Sequence, residues 1–371
     1  MAFANLNRRL KALVGIFKEA NFSTTFRLFS AVIVKNLRDL KVKMVVKHRH
    51  GPIEVEVEKN DVIVLCLFRD GLLHLPHFFA HHRKMGVTHF VFLDNGSVDQ
   101  SAEFIKAQPD ATLYYSPLPF GQYKECFRRF LANRYSKGGW VLLLDIDECF
   151  DFPMSHRISL KQLIGYLEET ECNVVVTQML DLFSDRPILD PPNDDGNLPA
   201  FYKYYDLGHL IKKHYTHQFG RTNKLTDEGI EMLAGGVRNR FFGDQILLTK
   251  HSLFRLKDGI GGPNNGHDVT YSTVADFTAV LHHYKFCSDF SKVLKRAMTE
   301  KGYFEGSSFY TKMEAQLSKE PELSLFTKDS RELKSAEELI EPGFLRASSR
   351  FLNWVDREES RNPSANENGQ G

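Results

Sequence analysis

The chain has 371 residues, 42% of them hydrophobic and 26% charged. That is enough apolar content to bury a core, and it excludes a collagen, a coiled coil or a wholly disordered chain. The formal net charge of +1 argues against a dedicated nucleic-acid binder, yet residues 1–50 carry +9 and the remainder −8, so a basic arm sits on an acidic body and points to an anionic partner.

Residues 1–55 are expected to form that basic helical arm. Leu6, Leu10, Leu13, Val14 and Phe17 recur at helical spacing. Asn21-Phe22-Ser23 reads as a break and a new cap, after which Phe26, Phe29, Ile33 and Leu37 continue the apolar face. Such an arm packs on the body or a partner, or lies on an anionic membrane surface. No apolar run approaches the ~18–20 residues that span a bilayer. The start also lacks a secretory signal, because charges interrupt its apolar positions. The expected location is cytoplasmic, with peripheral contact at the membrane face through residues 1–50. Five scattered cysteines without a CxxC pair read as buried thiols in a reducing compartment.

Regularity improves after residue 60. Continuous apolar runs at 61–68, 88–93, 140–144 and 173–180, with a shorter one at 111–115, read as strands. Helical spacing fills 72–85, 98–107 and 122–135 between them. Strands alternating with helices imply an α/β domain over 56–290 with a parallel sheet, whose ligands bind at the carboxyl ends of the strands. Residues 184–225 are aromatic, turn-rich and irregular, a loop length that is usually functional or mobile. Short segments follow at 237–256 and 277–286. A helical, polar C-terminal extension is expected over 291–356 and a disordered tail over 357–371.

Asp145-Ile146-Asp147-Glu148 places three carboxylates directly after an apolar strand, with no basic residue between them. Such neighbours repel unless a cation or hydrogen bonds compensate. Mg²⁺ or Mn²⁺ is the natural compensator, held by one or two carboxylates plus substrate phosphates. The alternative is a solvated loop or helix cap. Asp94-Asn95-Gly96-Ser97-Val98-Asp99 is a tight turn in which capping explains Ser97 and Asp99. Asp94 precedes the turn at a strand end, where a carboxylate can accept hydrogen bonds from a ribose or base. Neither GxGxxG after a strand nor GxxxxGK[ST] is present, so metal and basic side chains would have to hold a phosphate.

These residues carry a resemblance. An apolar strand leads to Arg69-Asp70, an amphipathic helix with His81 precedes Gly86-Val87-Thr88, and two further strands end at Asp94 and Asp145. The order resembles a family 2-type glycosyltransferase of the GT-A fold over about residues 58–290. It is similar to the bacterial branch whose signature ends DxDEF, with Cys149 and Phe150 following Glu148 here, and to the family 92 galactosyltransferases. Gly235-Gly236-Val237-Arg238-Asn239-Arg240-Phe241-Phe242-Gly243 with Lys250 resembles a later block, and Leu281-His282-His283-Tyr284-Lys285-Phe286 the terminal LLHFKF element.

The resemblance implies a Rossmann-like mixed sheet flanked by helices and a set of roles. Asp94 would contact the base or ribose, Asp145 the ribose or metal-bound waters, and Asp147 the metal bridging the diphosphate. His283 would be a second metal ligand, with His282 the alternative register. Lys285 and Arg238 would neutralise the departing diphosphate. Arg69 would approach the nucleotide, or else pair with Asp70 or Asp94. Asp181 is the expected base for the acceptor hydroxyl, with Asp185 and Asp244 as alternatives. His74, His77 and His81 share a helix face, read as polar rather than as a zinc site because no carboxylate or Cys ligand stands near them in the sequence.

The expected activity is a metal-dependent, inverting transfer of a sugar from a nucleotide-sugar, a UDP-sugar first among them, to a glycan or lipid-linked acceptor. The competing readings are a nucleotidyltransferase or phosphohydrolase using the same aspartates, and a degenerate binding module.

Overall fold

A computed structural model describes residues 22–136, 139–215, 222–256, 267–300 and 308–361. The expected helical positions before residue 22 lie outside the described residues. The main strands are β1 (Lys47–His50), β2 (Val62–Phe68), β3 (His89–Asp94), β4 (Ala111–Tyr115), β5 (Trp140–Asp145), β6 (Glu148–Asp151) and β7 (Val174–Asp181). Further along come β8 (Tyr204–Tyr205), β9 (Leu210–His214), β10 (Lys224–Leu225), β11 (Glu231–Gly235), β12 (Thr249–Phe254) and β13 (Thr273–His283).

Alternation along the apolar strands sets the layers. In β2, Val62, Val64, Cys66 and Phe68 face one core while Ile63, Leu65 and Leu67 face another. Both faces are dry, as a strand between two helical layers requires. The sheet order is β1-β4-β3-β2-β5-β12-β7-β13-β10, with β6 added against β13. Strands β2 to β5, β7, β10 and β13 run parallel, whereas β1, β6 and β12 are antiparallel. This is the expected α/β class, a mixed sheet flanked by helices. The parallel strands all end on one edge, which brings Asp94, Asp145, Asp181 and His283 to the same side.

Helix Phe22–Val45 packs against helix Phe120–Tyr135, tied by Arg129 to Asp39 at 2.7 Å with Val42 buried between them. Residues 47–50, expected within the helical arm, instead form an edge strand that pairs with β4. The arm is therefore continuous with the sheet.

Helices Phe290–Glu300 and Ser308–Lys319 follow β13 and share an apolar cluster with Phe183, Phe242 and Phe286. Residues 320–348 are largely irregular rather than helical. Helix Ser349–Arg361 packs Phe351, Trp354 and Val355 on the core. It runs into the segment expected to be a disordered tail, because those three residues form a buried stripe that docks the helix beside Tyr166 and Phe277. All five cysteines are free and buried.

Candidate functional site

Strand β5 ends at Asp145, and the chain turns through Ile146 and Asp147 into β6, where Glu148 pairs with His283 and Cys149 with His282. That return gathers the three carboxylates around His283. They are not equivalent: the side chains of Asp145 and Asp147 are 33% and 27% exposed, and that of Glu148 only 1%.

Two cations outside the tetrapeptide compensate two of these charges. Asp145 accepts from Arg128 at 2.7 Å and from Lys250 at 3.0 Å. Lys250 also binds Glu148, whose other oxygen accepts the Asp145 backbone N–H at 3.0 Å. Burial alone would push the Asp145 carboxyl up, but the charges of Arg128 and Lys250 outweigh it and hold the group well below the usual carboxylate range. So a metal is not needed to offset all three carboxylates, as the bare tetrapeptide suggested. Arg128, on helix Phe120–Tyr135, and Lys250, on β12, were not expected as its partners.

Asp147 is the remaining carboxylate. Its Oδ2 lies 3.2 Å from His283 Nε2. On the other side of the ring, His283 Nδ1 lies 2.6 Å from Asp181 Oδ1. Arg238 forks onto Asp181 through Nε at 2.8 Å and Nη2 at 2.6 Å. Burial alone would lower the His283 pKa, but Asp147 and Asp181 outweigh it and raise it. The same imidazole holds Asp147 well below its ordinary value against the opposing effect of burial. Gly235 and Gly236, at φ 85° and 64°, turn the chain from β11 into the short helix Val237–Phe242 that carries Arg238. A Cβ on Gly235 would meet the His209 carbonyl oxygen at 2.9 Å, so only glycine fits that turn.

A carboxylate oxygen and an imidazole nitrogen 3.2 Å apart stand about as far apart as neighbouring donors on a six-coordinate ion with bonds near ~2.1 Å. Donation of Nδ1–H to Asp181 would leave Nε2 as the free lone pair, the arrangement that orients a metal-bound histidine. The mixed oxygen and nitrogen set suits Mn²⁺ better than Mg²⁺, which prefers oxygen alone.

Asp181 was read as the base, but its carboxylate is buried, doubly bonded by Arg238, shared with His283 and held well below the usual range despite burial. Such a group is a poor proton acceptor, so the geometry gives it a positioning role. Arg238 is spent on Asp181 and is not open to a diphosphate. Lys285 differs: its Nζ donates to the Tyr310 hydroxyl at 2.8 Å and lies over the Tyr310 ring at 4.7 Å, leaving a cation with no acidic partner among the described residues. Arg69 pairs with Glu300 at 3.0 Å, an acid at the end of helix Phe290–Glu300, rather than with Asp70 or Asp94. Asp94 accepts Ser97 N–H and Oγ–H at 2.8 and 2.7 Å, and Ser97 Oγ in turn accepts the Asp70 N–H at 2.8 Å. Asp94 thus braces the loops that follow β2 and β3. His282 is turned away from Asp147, and its Nε2 lies 4.0 Å from Asp151.

No protein-family model matches the chain, and no curated protein matches it. Among solved structures, S. aureus TarS aligns over 71% of this chain and 44% of its own, at 13% identity and a TM-score of 0.33. The chain thus spans less than half the length of that protein. HddC from Yersinia pseudotuberculosis aligns over 63% of this chain and 96% of its own, at 11% identity and a TM-score of 0.28. Likeness at this level carries no argument about activity.

Proposed function

We propose that the chain is a metal-dependent glycosyltransferase that moves a sugar from a nucleotide-sugar, a UDP-sugar by preference, to a glycan or lipid-linked hydroxyl with inversion. The observation that carries this reading is the Asp147–His283 pair at 3.2 Å on the carboxyl edge of the parallel sheet, with His283 held from behind by Asp181 and Arg238. Asp147 Oδ2 and His283 Nε2 would hold the divalent ion. When bound, the ion supplies charge neutralisation for the departing diphosphate.

The chain's own groups do the rest. Asp181 fixes the ring plane of His283, and Arg238 keeps Asp181 ionised. Arg128 and Lys250 keep Asp145 ionised as well, and its exposed edge can accept hydrogen bonds from a ribose hydroxyl. Lys285 adjoins this edge, because Tyr284 N–H donates to the Asp147 carbonyl at 2.8 Å. It places a fixed positive charge where negative charge develops on the leaving group. The acceptor oxygen bonds to the anomeric carbon as the bond to the diphosphate breaks, and the hydroxyl proton leaves to a base.

We also read the first helix as a peripheral membrane contact. Ile33, Leu37, Leu40 and Met44 fall on one stripe of helix Phe22–Val45 and are 41–71% exposed. By helical spacing Lys41 and Lys43 border that stripe. An apolar stripe edged by lysines suits an anionic lipid surface, with about 1 kcal/mol per basic residue from charge. No described helix is long and apolar enough to cross a membrane.

The test is a panel of nucleotide-sugars incubated with protein and Mn²⁺, reading release of free nucleoside diphosphate. Release from a UDP-sugar supports the reading. Failure of every donor, or release of pyrophosphate from nucleoside triphosphates instead, overturns it.

A further inference from the structure

A second cluster lies on the other side of the β6–β13 pair from Asp147. Helix Leu75–Met85 presents His77 and His81, one turn apart, to Cys149 on β6. One ring nitrogen from each histidine and the Cys149 Sγ lie within 4.8 Å of one another. His282, the β-sheet partner of Cys149, adds a third ring, 6.1 Å from that of His81 between centroids.

The hydrogen bonds sort these rings into two kinds. His82 is satisfied at both nitrogens, by the Phe78 carbonyl at 2.8 Å and the Phe150 N–H at 3.2 Å. His81 Nε2 donates to the Phe150 carbonyl at 2.6 Å, which fixes its tautomer and leaves the other nitrogen as a lone pair. A metal-bound histidine has the same arrangement, one nitrogen donating to a carbonyl and the other ligating. His77 Nε2 and His282 Nε2 are buried and have no hydrogen-bond partner. Orphaned buried nitrogens are costly and call for an ion or water to complete them.

We propose that His77, His81, Cys149 and His282 form a tetrahedral Zn²⁺ site. The donor chemistry matches, since zinc takes imidazole and thiolate at roughly 2.0–2.3 Å with four ligands. Those bond lengths place donors about 3.3–3.8 Å apart, so His77, His81 and Cys149, within 4.8 Å of one another, close by up to about 1 Å on the ion, and the His282 ring turns in from its place 4.0 Å from Asp151. Cys149 binds as thiolate, and its proton goes to solvent. His77 and His81 are only half-buried, which gives the ion a way in. The bound ion would pin helix Leu75–Met85 to β6, which follows Asp147, and to β13, which ends at His283, so its role is to hold that frame rather than to react.

The site is tested by titrating Co²⁺ into the metal-stripped full-length chain. One equivalent is expected to give a thiolate-to-cobalt charge-transfer band, and Zn²⁺ should abolish it and raise the melting temperature. Cys149→Ser should lose the band. His77→Gln, on a half-exposed helix face, should keep the fold and weaken Co²⁺ binding about 10-fold or more. Asp147→Asn should keep the band, which separates this site from the one proposed for the transfer reaction. Absence of the band in the wild-type chain, or its survival in Cys149→Ser, overturns the assignment and leaves water as the occupant of the cluster.

Discussion

His283 bridges two aspartates: Nε2 lies 3.2 Å from Asp147 and Nδ1 lies 2.6 Å from Asp181. One carboxylate is partly exposed and the other is sealed against Arg238. The imidazole thus joins a surface that can bind a ligand to an interior ion pair that cannot. Each side of this bridge makes a separate prediction.

Asp181→Asn keeps the shape of the side chain but removes the charge that orients His283. If Asp181 positions the ring, Mn²⁺ affinity should fall roughly 10–100-fold along with turnover. A catalytic base would lower the turnover number and leave metal affinity intact. Measuring Mn²⁺ binding and turnover on the same variant separates the two roles.

Removing Lys250 should test the buried counterion. Lys250→Met leaves Glu148 inside the sheet without its partner, and breaking a buried pair costs about 3–5 kcal/mol. The double variant Lys250→Met/Glu148→Gln should recover more than half of that loss in urea denaturation. Equal stability of the single and double variants would mean that Glu148 is not charged in the folded chain.

Asp110 offers a pH test away from the site. Arg83 forks onto it at 2.8 and 2.6 Å. Burial would raise the Asp110 pKa, but the Arg83 hydrogen bonds and charge outweigh it and lower it. A lowered folded pKa gives stability that is present above the unfolded value near ~3.9 and lost as pH falls through the folded one. Asp110→Asn should therefore cost about 0.5–1 kcal/mol at neutral pH, and the gap should narrow below about pH 4. A gap that does not change with pH would contradict the ion pair.

The apolar stripe predicts binding to vesicles that contain anionic lipid, weakened by salt. Deleting residues 1–50 is the wrong control, because β1 and Val42 belong to the folded body. Leu37→Glu/Leu40→Glu changes only exposed positions. Equal cosedimentation of this variant and the wild type would remove the membrane from the account.

Much of the frame was legible because apolar runs and turns are local signals. The strand ending at Asp145 and the one ending at Asp94 lie within a residue of their expected positions. The partners of these carboxylates were not legible. Arg128 reaches Asp145 from 17 residues away and Lys250 from 105, and Arg238 reaches Asp181 from 57. Those distances are set by sheet order, which no local spacing encodes. Arg238 therefore read as free to bind phosphate when it is spent inside. Cys149 likewise came to face His77 and His81 only through the return of β6 along β13.

The central claim is that Asp147 and His283 hold an ion that carries the diphosphate. Isothermal titration of UDP into the protein with and without Mn²⁺, repeated on Asp147→Asn, tests it most directly. The account predicts binding that requires Mn²⁺ and is lost in the variant. UDP binding of equal strength without metal, or to Asp147→Asn, would contradict it.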